Sequence, residues 1–360
     1  MKFLPKTRNM HHPASPLLPM LGIDYPVVQG AMLGVTTPAM VAAISNAGGL
    51  GSLPLGGLSP DEARLLIQQT RQLTNRPFAV NLFAHDIPAA IPASTIAAMQ
   101  ALLADFCRQR QLPITPVQIQ APRFYNHLDL APLLVEEKID IVSFTFGRLD
   151  SETTALFKAA VMKLIGTATS TAEALLLQAD GCDAVTLQGV EAGGHRGTFG
   201  DTHPLPQTGL FALLAQAIPQ LQIPALAAGG IASTRGIQAA LQLGASGIQL
   251  GTLFIPSHES RAAEGYKQAV LQAGDTATTL TRAFSGRWAR GIRNELMEAV
   301  ETAGIEIPPY VFQNLLTSAI RRYGQEHNLP ELISMWAGQA AGQSREAAAA
   351  DIFKELVQNL

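Results

Sequence analysis

The chain has 360 residues; 47% are hydrophobic, only 15% are charged, and the formal net charge is -3. So much apolar side chain excludes an intrinsically disordered protein, and the lack of a basic excess excludes the electrostatic footprint of a nucleic-acid binder. No window of roughly 18 apolar residues runs free of charges or Gly/Pro breaks, so no membrane-spanning helix is expected.

Residues 1–16 lack the apolar stretch of a signal peptide and read as a solvated tail, His11 and His12 included. Short apolar runs then recur at 26–29, 49–53, 78–83, 139–146, 163–168, 184–188, 224–228 and 247–251. Stretches of helical periodicity lie between most of them. Ser59-Pro60-Asp61-Glu62 opens one helix: Ser59 caps it, Pro60 sits in the first turn and Glu62 completes a capping box. Ser170 with Glu173 opens another the same way, and Ser233 caps a third over 235–243. Strands that alternate with helices are joined by crossovers and run parallel. Runs such as Ile139-Asp140-Ile141-Val142-Ser143-Phe144 are apolar almost throughout, as expected when both faces of a sheet are covered. Eight such runs predict an α/β fold, a (β/α)8 TIM-type barrel over 17–290. A doubly wound open sheet would give the same local signals.

Two segments interrupt this rhythm. An insertion at about 85–138 contains a helix over 94–110 and a run at 117–121 that could itself be a barrel strand. Past about residue 290 the strand signals stop, and 294–303, 310–323 and 345–360 read as helices. Residues 291–360 are therefore expected to form a C-terminal helical lobe. The two cysteines, Cys107 and Cys182, form no C-x-x-C pair; they read as small buried hydrophobes of a reducing, cytoplasmic compartment. No cluster of His, Cys and carboxylates has metal-ligand spacing, so no metal is expected.

Glycine and polar residues concentrate at the C-terminal ends of the strands, the face of a barrel that holds the active site. Ala227-Ala228-Gly229-Gly230-Ile231 follows one strand, and Gln249-Leu250-Gly251-Thr252 ends the next. Either motif alone reads equally well as a tight turn. As a pair on consecutive late strands they predict a phosphate site, where backbone N–H groups and helix starts meet an anion. After the first strand the chain has Gly48-Gly49-Leu50-Gly51 rather than G-x-G-x-x-G, which argues against a Rossmann dinucleotide site. The sixth strand runs into Gln188-Gly189-Val190-Glu191-Ala192-Gly193-Gly194-His195-Arg196-Gly197. His195, at a strand end in a loop that can approach a ligand closely, is the candidate for proton transfer. Glu191 is read as an ion-pair partner of Arg196 or as orienting the loop. The amides of Asn81 and Gln188 suit either a heterocycle edge or core hydrogen bonding. Ser52 and Ser143 read as hydrogen-bonding residues rather than nucleophiles, and His85 as a candidate pocket residue. Tyr310, Tyr323 and Trp336 either help close the pocket or pack helices.

These segments, with Gln29-Gly30-Ala31-Met32, Ser45-Asn46-Ala47, Asn81-Leu82-Phe83, Phe284-Ser285-Gly286-Arg287 and Trp336-Ala337-Gly338-Gln339, resemble the class I nitronate monooxygenases, formerly 2-nitropropane dioxygenases. The resemblance spans roughly residues 20–340. It implies an FMN cofactor held by Gln29, Asn81, Gln188, Gly193, Gly230, Gln249, Leu250, Gly251 and Thr252, with His195 at the family's catalytic histidine. It implies oxidation of alkyl nitronates such as propionate 3-nitronate with O2 to a carbonyl compound and nitrite, by a monomer or homodimer. Two positions depart from the family pattern: Thr145 stands where many members have a second histidine, and Trp288 where a proline is common. An FMN-dependent enoyl-acyl-carrier-protein reductase shares the Gln-Gly-Ala-Met start and the Glu-Ala-Gly-Gly-His loop. The same segments would also suit an NAD(P)H:quinone reductase of that superfamily, or a flavin-binding protein without enzymatic activity.

Overall fold

In chain order the strands are β1 (Val27–Gln29), β2 (Gly51–Pro54), β3 (Phe78–Phe83), β4 (Ile141–Thr145), β5 (Lys163–Ala168), β6 (Ala184–Gln188), β7 (Gly194–His195), β8 (Ala225–Ala228), β9 (Gly247–Leu250), β10 (Thr278–Thr281) and β11 (Ala289–Ile292). The structure, a computed structural model, describes residues 15–85, 91–115, 124–200, 205–358 and 360. Eight strands form one parallel sheet in the order β1-β9-β8-β6-β5-β4-β3-β2. A parallel bridge between Val28 and Leu50 joins β1 to the start of β2. The sheet therefore closes on itself, which settles the choice between barrel and open sheet. Each predicted apolar run overlaps one of these strands. The run at 117–121 lies outside the described residues, and the barrel closes without it.

The helix starts follow their sequence signals, with one variation. At the helix Pro60–Leu73, Ser59 Oγ accepts from the Glu62 N–H at 3.3 Å and the Glu62 carboxylate accepts from the Ser59 N–H at 2.9 Å. Ser233 caps Thr234–Gln242 by accepting from the Gly236 N–H. Ser170 caps Thr171–Ala179, but the Glu173 carboxylate does not close a box on it. It accepts instead from the N–H of Thr169 at 2.6 Å and of Phe199 at 3.0 Å. That carboxylate ties the end of β5 to the loop that follows His195.

Strands β10 and β11 have no counterpart among the predicted runs. They pair antiparallel, and β11 continues onto β7 with Ala289 opposite His195. The inserted helix Ala93–Gln109 packs its Met99, Leu103 and Phe106 with Phe284, Leu296, Leu316 and Ile320 in a core of its own. The predicted 310–323 helix is two, Phe312–Leu316 and Ser318–Glu326. The last helix, Ala349–Val357, buries Ile352 and Phe353 in the barrel core. Cys107 and Cys182 are both buried and unpaired. Among the described residues no helix is long and apolar enough to cross a membrane.

Candidate functional site

A cavity of about 750 Å3 opens at the C-terminal ends of the barrel strands. Pro54, Asn81, Thr145, Thr167, Gln188, Ala228 and Gln249 line it, from seven different strands. Its size falls in the range of a cofactor or drug-sized ligand.

On one side are the two glycine turns. Gly229 and Gly230 have φ of +117° and +68°, a backbone that side chains rarely adopt. A Cβ on Gly230 would stand 3.1 Å from the Glu191 Cβ. Past β9, Gly251 leads into the short helical turn Thr252–Phe254. Thr252 Oγ1 accepts from the Gly338 N–H, and the Leu250 carbonyl accepts from the Gly30 N–H. Gly230, Gly251 and Thr252 all line the cavity, as do Leu250 and Gly193. Gly193 is a glycine for a packing reason: a Cβ there would lie 2.5 Å from the Gly338 nitrogen. Turn geometry requires glycine at Gly229 and Gly230, and both also line the cavity.

The amides divide into two kinds. Asn81 donates to Ser143 Oγ at 2.9 Å, and Gln249 Oε1 accepts from Thr186 at 3.3 Å; both line the cavity. Gln188 lines it too, but its amide is engaged within the loop. Nε2 donates to the His195 carbonyl, while Oε1 accepts from Arg196 and from the Gly197 N–H. Gln29 is fully buried and is not a lining residue. It donates to Gly30 O and Thr36 Oγ1 and accepts from the Ser52 N–H, bracing the turn under the ligand space. Glu191 makes no salt bridge with Arg196. Its carboxylate takes the Leu210 N–H at the start of Leu210–Ala217. Arg196, fully buried, donates from its two terminal nitrogens to Gln188 and to the Gly189 carbonyl, and its Nε has no partner among the described residues.

His195 stands among rings. Phe146, Tyr310 and Trp336 lie 5.5, 5.9 and 5.3 Å from it, centroid to centroid. Phe146 sits at φ +79°, a left-handed conformation unusual for an aromatic residue, which marks the end of β4 as a strained site. Arg287 lies over the Phe146 ring at 4.3 Å. Burial, reinforced by the charges of Arg287 and Arg321, pushes the His195 pKa down to about 3, so the imidazole is neutral. His195 Nε2 is 2.8 Å from Ser285 Oγ, and that hydroxyl is also placed to donate to the Arg287 carbonyl at 3.2 Å. The hydroxyl also accepts from the Arg287 N–H at 3.3 Å; in the arrangement where its own proton goes to the carbonyl, Nε2–H donates to Ser285. The lone pair is then on Nδ1, which makes no hydrogen bond among the described residues.

Ser52, Ser143, Tyr310 and Trp336 line the cavity; Tyr323 stacks on His327 and does not. Thr145 lines the cavity directly. His85 is buried behind it, 4.9 Å from the Tyr310 ring and outside the lining set. Sequence reasoning missed the role of Ser285, which only the β7–β11 pairing brings to His195, ninety positions away. It also missed Asn314 and Arg321, which line the cavity from the helices Phe312–Leu316 and Ser318–Glu326. Polar residues on a predicted helix carry no signal that they face a pocket.

Replacing Gly230 with valine is expected to weaken binding of the flavin that the resemblance implies by more than about tenfold, because a β-branched side chain resists φ +68°. Gly230→Asn, which tolerates left-handed backbone, should lose much less. A flavin titration of both apoproteins by fluorescence quenching checks this; equal affinities would mean that the expected phosphate site is not at this turn.

A family model described as nitronate monooxygenase matches residues 14–359. A probable nitronate monooxygenase of Staphylococcus aureus (strain Newman) is 38% identical over 348 residues, 96% of each chain. A nitroalkane oxidase from Streptomyces ansochromogenes superposes with a TM-score of 0.87 at 33% identity, over 96% of this chain and 97% of that one. FabK from Thermotoga maritima superposes with a TM-score of 0.74 at 28% identity, over 96% and 95%.

Proposed function

The chain belongs to the nitronate monooxygenase family of oxidoreductases, and from that premise we propose that it is an FMN-dependent enzyme oxidising alkyl nitronates with O2 to a carbonyl compound and nitrite. The observation that carries this reading is the pairing, in one cavity, of a neutral histidine held by Ser285 with two glycine turns. Propionate 3-nitronate is a substrate of the expected kind.

The residues present fit a flavin mononucleotide. Gly230, Gly251 and Thr252 offer backbone donors to its phosphate at two turn-to-helix junctions. Asn81, Gln188 and Gln249 line the intervening wall with amides, and Gly193 gives backbone access. Leu250 adds apolar surface, and Gln29 supports from beneath. Bound FMN would supply the electron-transfer chemistry that no side chain provides.

The chain's own residues do the rest. Phe146, Tyr310 and Trp336 wall the space beside His195 and exclude bulk water from it. Ser285 holds the ring in the tautomer with Nδ1 as proton acceptor. A nitronate arrives already deprotonated and needs His195 only for position. A neutral nitroalkane must first give its α-proton to Nδ1.

The test is oxygen consumption and nitrite release by the purified flavoprotein with ethyl nitronate and with propionate 3-nitronate. Uptake with either supports the reading. The alternative, an FMN-dependent reductase using a nicotinamide cofactor, predicts instead flavin bleaching by NADH or NADPH and no response to nitronates.

A further inference from the structure

Arg321 stands on the helix Ser318–Glu326, and its side chain lines the cavity. Burial lowers its pKa to about 10, so it is charged at neutral pH. All its hydrogen bonds go to uncharged acceptors. Nε donates to Thr317 Oγ1 at 3.0 Å, and Nη2 donates to the Asn314 carbonyl at 2.7 Å and to Asn314 Oδ1 at 2.8 Å. Among the described residues Nη1 makes no hydrogen bond and no carboxylate pairs with the guanidinium. No aspartate or glutamate lines the cavity either. A half-buried cation without a counter-charge favours an anion beside it, and a guanidinium presents donors shaped for a carboxylate. The site is thus incomplete without an anion.

Position says which anion. The flavin phosphate already has the glycine turns after β8 and β9. The groups that feel the Arg321 charge are instead Tyr310 and His195, at the substrate end. The reacting carbon belongs at His195 Nδ1, while Arg321 is tied to a different wall through Asn314 and Thr317. A substrate that satisfies both spans them with two polar ends.

We propose that Arg321 is a specificity-determining residue whose Nη1 binds a carboxylate carried by the nitronate, so that the enzyme prefers nitronates bearing a second anionic group. This rests on the nitronate-oxidation reading above. The ratio of kcat/KM for propionate 3-nitronate to that for ethyl nitronate reports it. In Arg321→Gln the ratio is expected to fall about 100-fold, the worth of a charged hydrogen bond. Arg321→Lys keeps the charge but loses the bonds to Asn314, so it should hold the ratio within about tenfold of the parent. A merely structural arginine would lower both substrates together and leave lysine no better than glutamine. An unchanged ratio overturns the proposal. So does a loss of FMN affinity in Arg321→Gln with the ratio intact, which would assign the anion to the cofactor phosphate.

A titration that needs no turnover keeps the two readings apart. In the holoenzyme, 3-nitropropionate should perturb the flavin spectrum at lower concentration than 1-nitropropane, and Arg321→Gln should erase the difference. If neither nitronate is oxidised, the functional reading fails and this titration decides the inference alone. Equal binding of the two ligands by the parent protein sinks it.

Discussion

His195→Asn is expected to lower kcat/KM for a neutral nitroalkane by about 10³-fold, within the range for removing a general base, and for the matching nitronate by less than about tenfold. The asymmetry follows from where the proton is. Nitroethane must lose its α-proton before it can be oxidised, and the ring nitrogen positioned for that is Nδ1, freed by the Nε2–Ser285 hydrogen bond. Ethyl nitronate has lost the proton already. Asparagine is the informative replacement, because its amide can still donate toward Ser285 and leaves the β7–β11 pairing alone. Flavin content should therefore be unchanged, since the proposed phosphate cradle is built from the turns after β8 and β9. The pH profile adds a second readout. A histidine near its usual value would lose its base form below about pH 6.5, but His195, held down to about 3, stays a base well below that. The parent enzyme should show no acid limb near pH 6.5 on nitroethane. Equal losses on both substrate forms would remove His195 from proton transfer and leave it a positioning role.

The barrel was legible because parallel strands covered on both faces must be apolar along their whole length, and short apolar runs stand out between amphipathic helices. The capping residues Ser59, Ser170 and Ser233 were legible for the same local reason: one hydroxyl satisfies one orphan N–H. Strands β10 and β11 were not. Segments such as Thr278–Thr281 and Ala289–Ile292 are short and mixed in polarity, and they become strands only by pairing with each other and with β7. The glycine turns and His195 could be read from their place after a strand. The duties of Gln29, Gln188 and Glu191 could not, because an amide or a carboxylate looks the same in sequence whether it faces a ligand or a backbone N–H. Glu191 shows the ambiguity: the nearby Arg196 invites an ion pair, yet the carboxylate goes to Leu210, nineteen positions on. Arg321 was hidden as well. Helical periodicity over 310–323 says nothing about which polar residue faces a cavity, and only the tertiary fold brings Arg321 to its wall.

The protein is expected to lose stability steeply between pH 6.5 and 4, well before carboxylate titration can account for it. Two histidines are buried in neutral form: His195 is pushed to about 3 and His85, chiefly by burial, to about 4. Above about pH 6.5 both are neutral whether the chain is folded or not, and they add no pH dependence. Below it the unfolded chain takes up protons that the folded chain refuses. The unfolded state then binds more protons, so stability falls as pH falls. The loss continues to about pH 4 for His85 and about pH 3 for His195. Each group contributes at most about 1.4 kcal/mol per pH unit, so the pair removes several kcal/mol, a large share of a typical folding free energy. The one carboxylate with a large shift titrates lower. Against the cost of its own burial, bonds from Thr153 and His127 hold Asp150 at about 2, and its stabilisation drains only between about pH 3.8 and 2. His85→Phe isolates the effect. Among the described residues neither ring nitrogen of His85 has a hydrogen-bond partner, so an apolar ring of similar shape removes the titration without orphaning a neighbour there. Urea midpoints measured from pH 7.5 to 4.5 should fall about half as steeply in His85→Phe as in the parent. Superimposable curves would mean that acid acts through some other group.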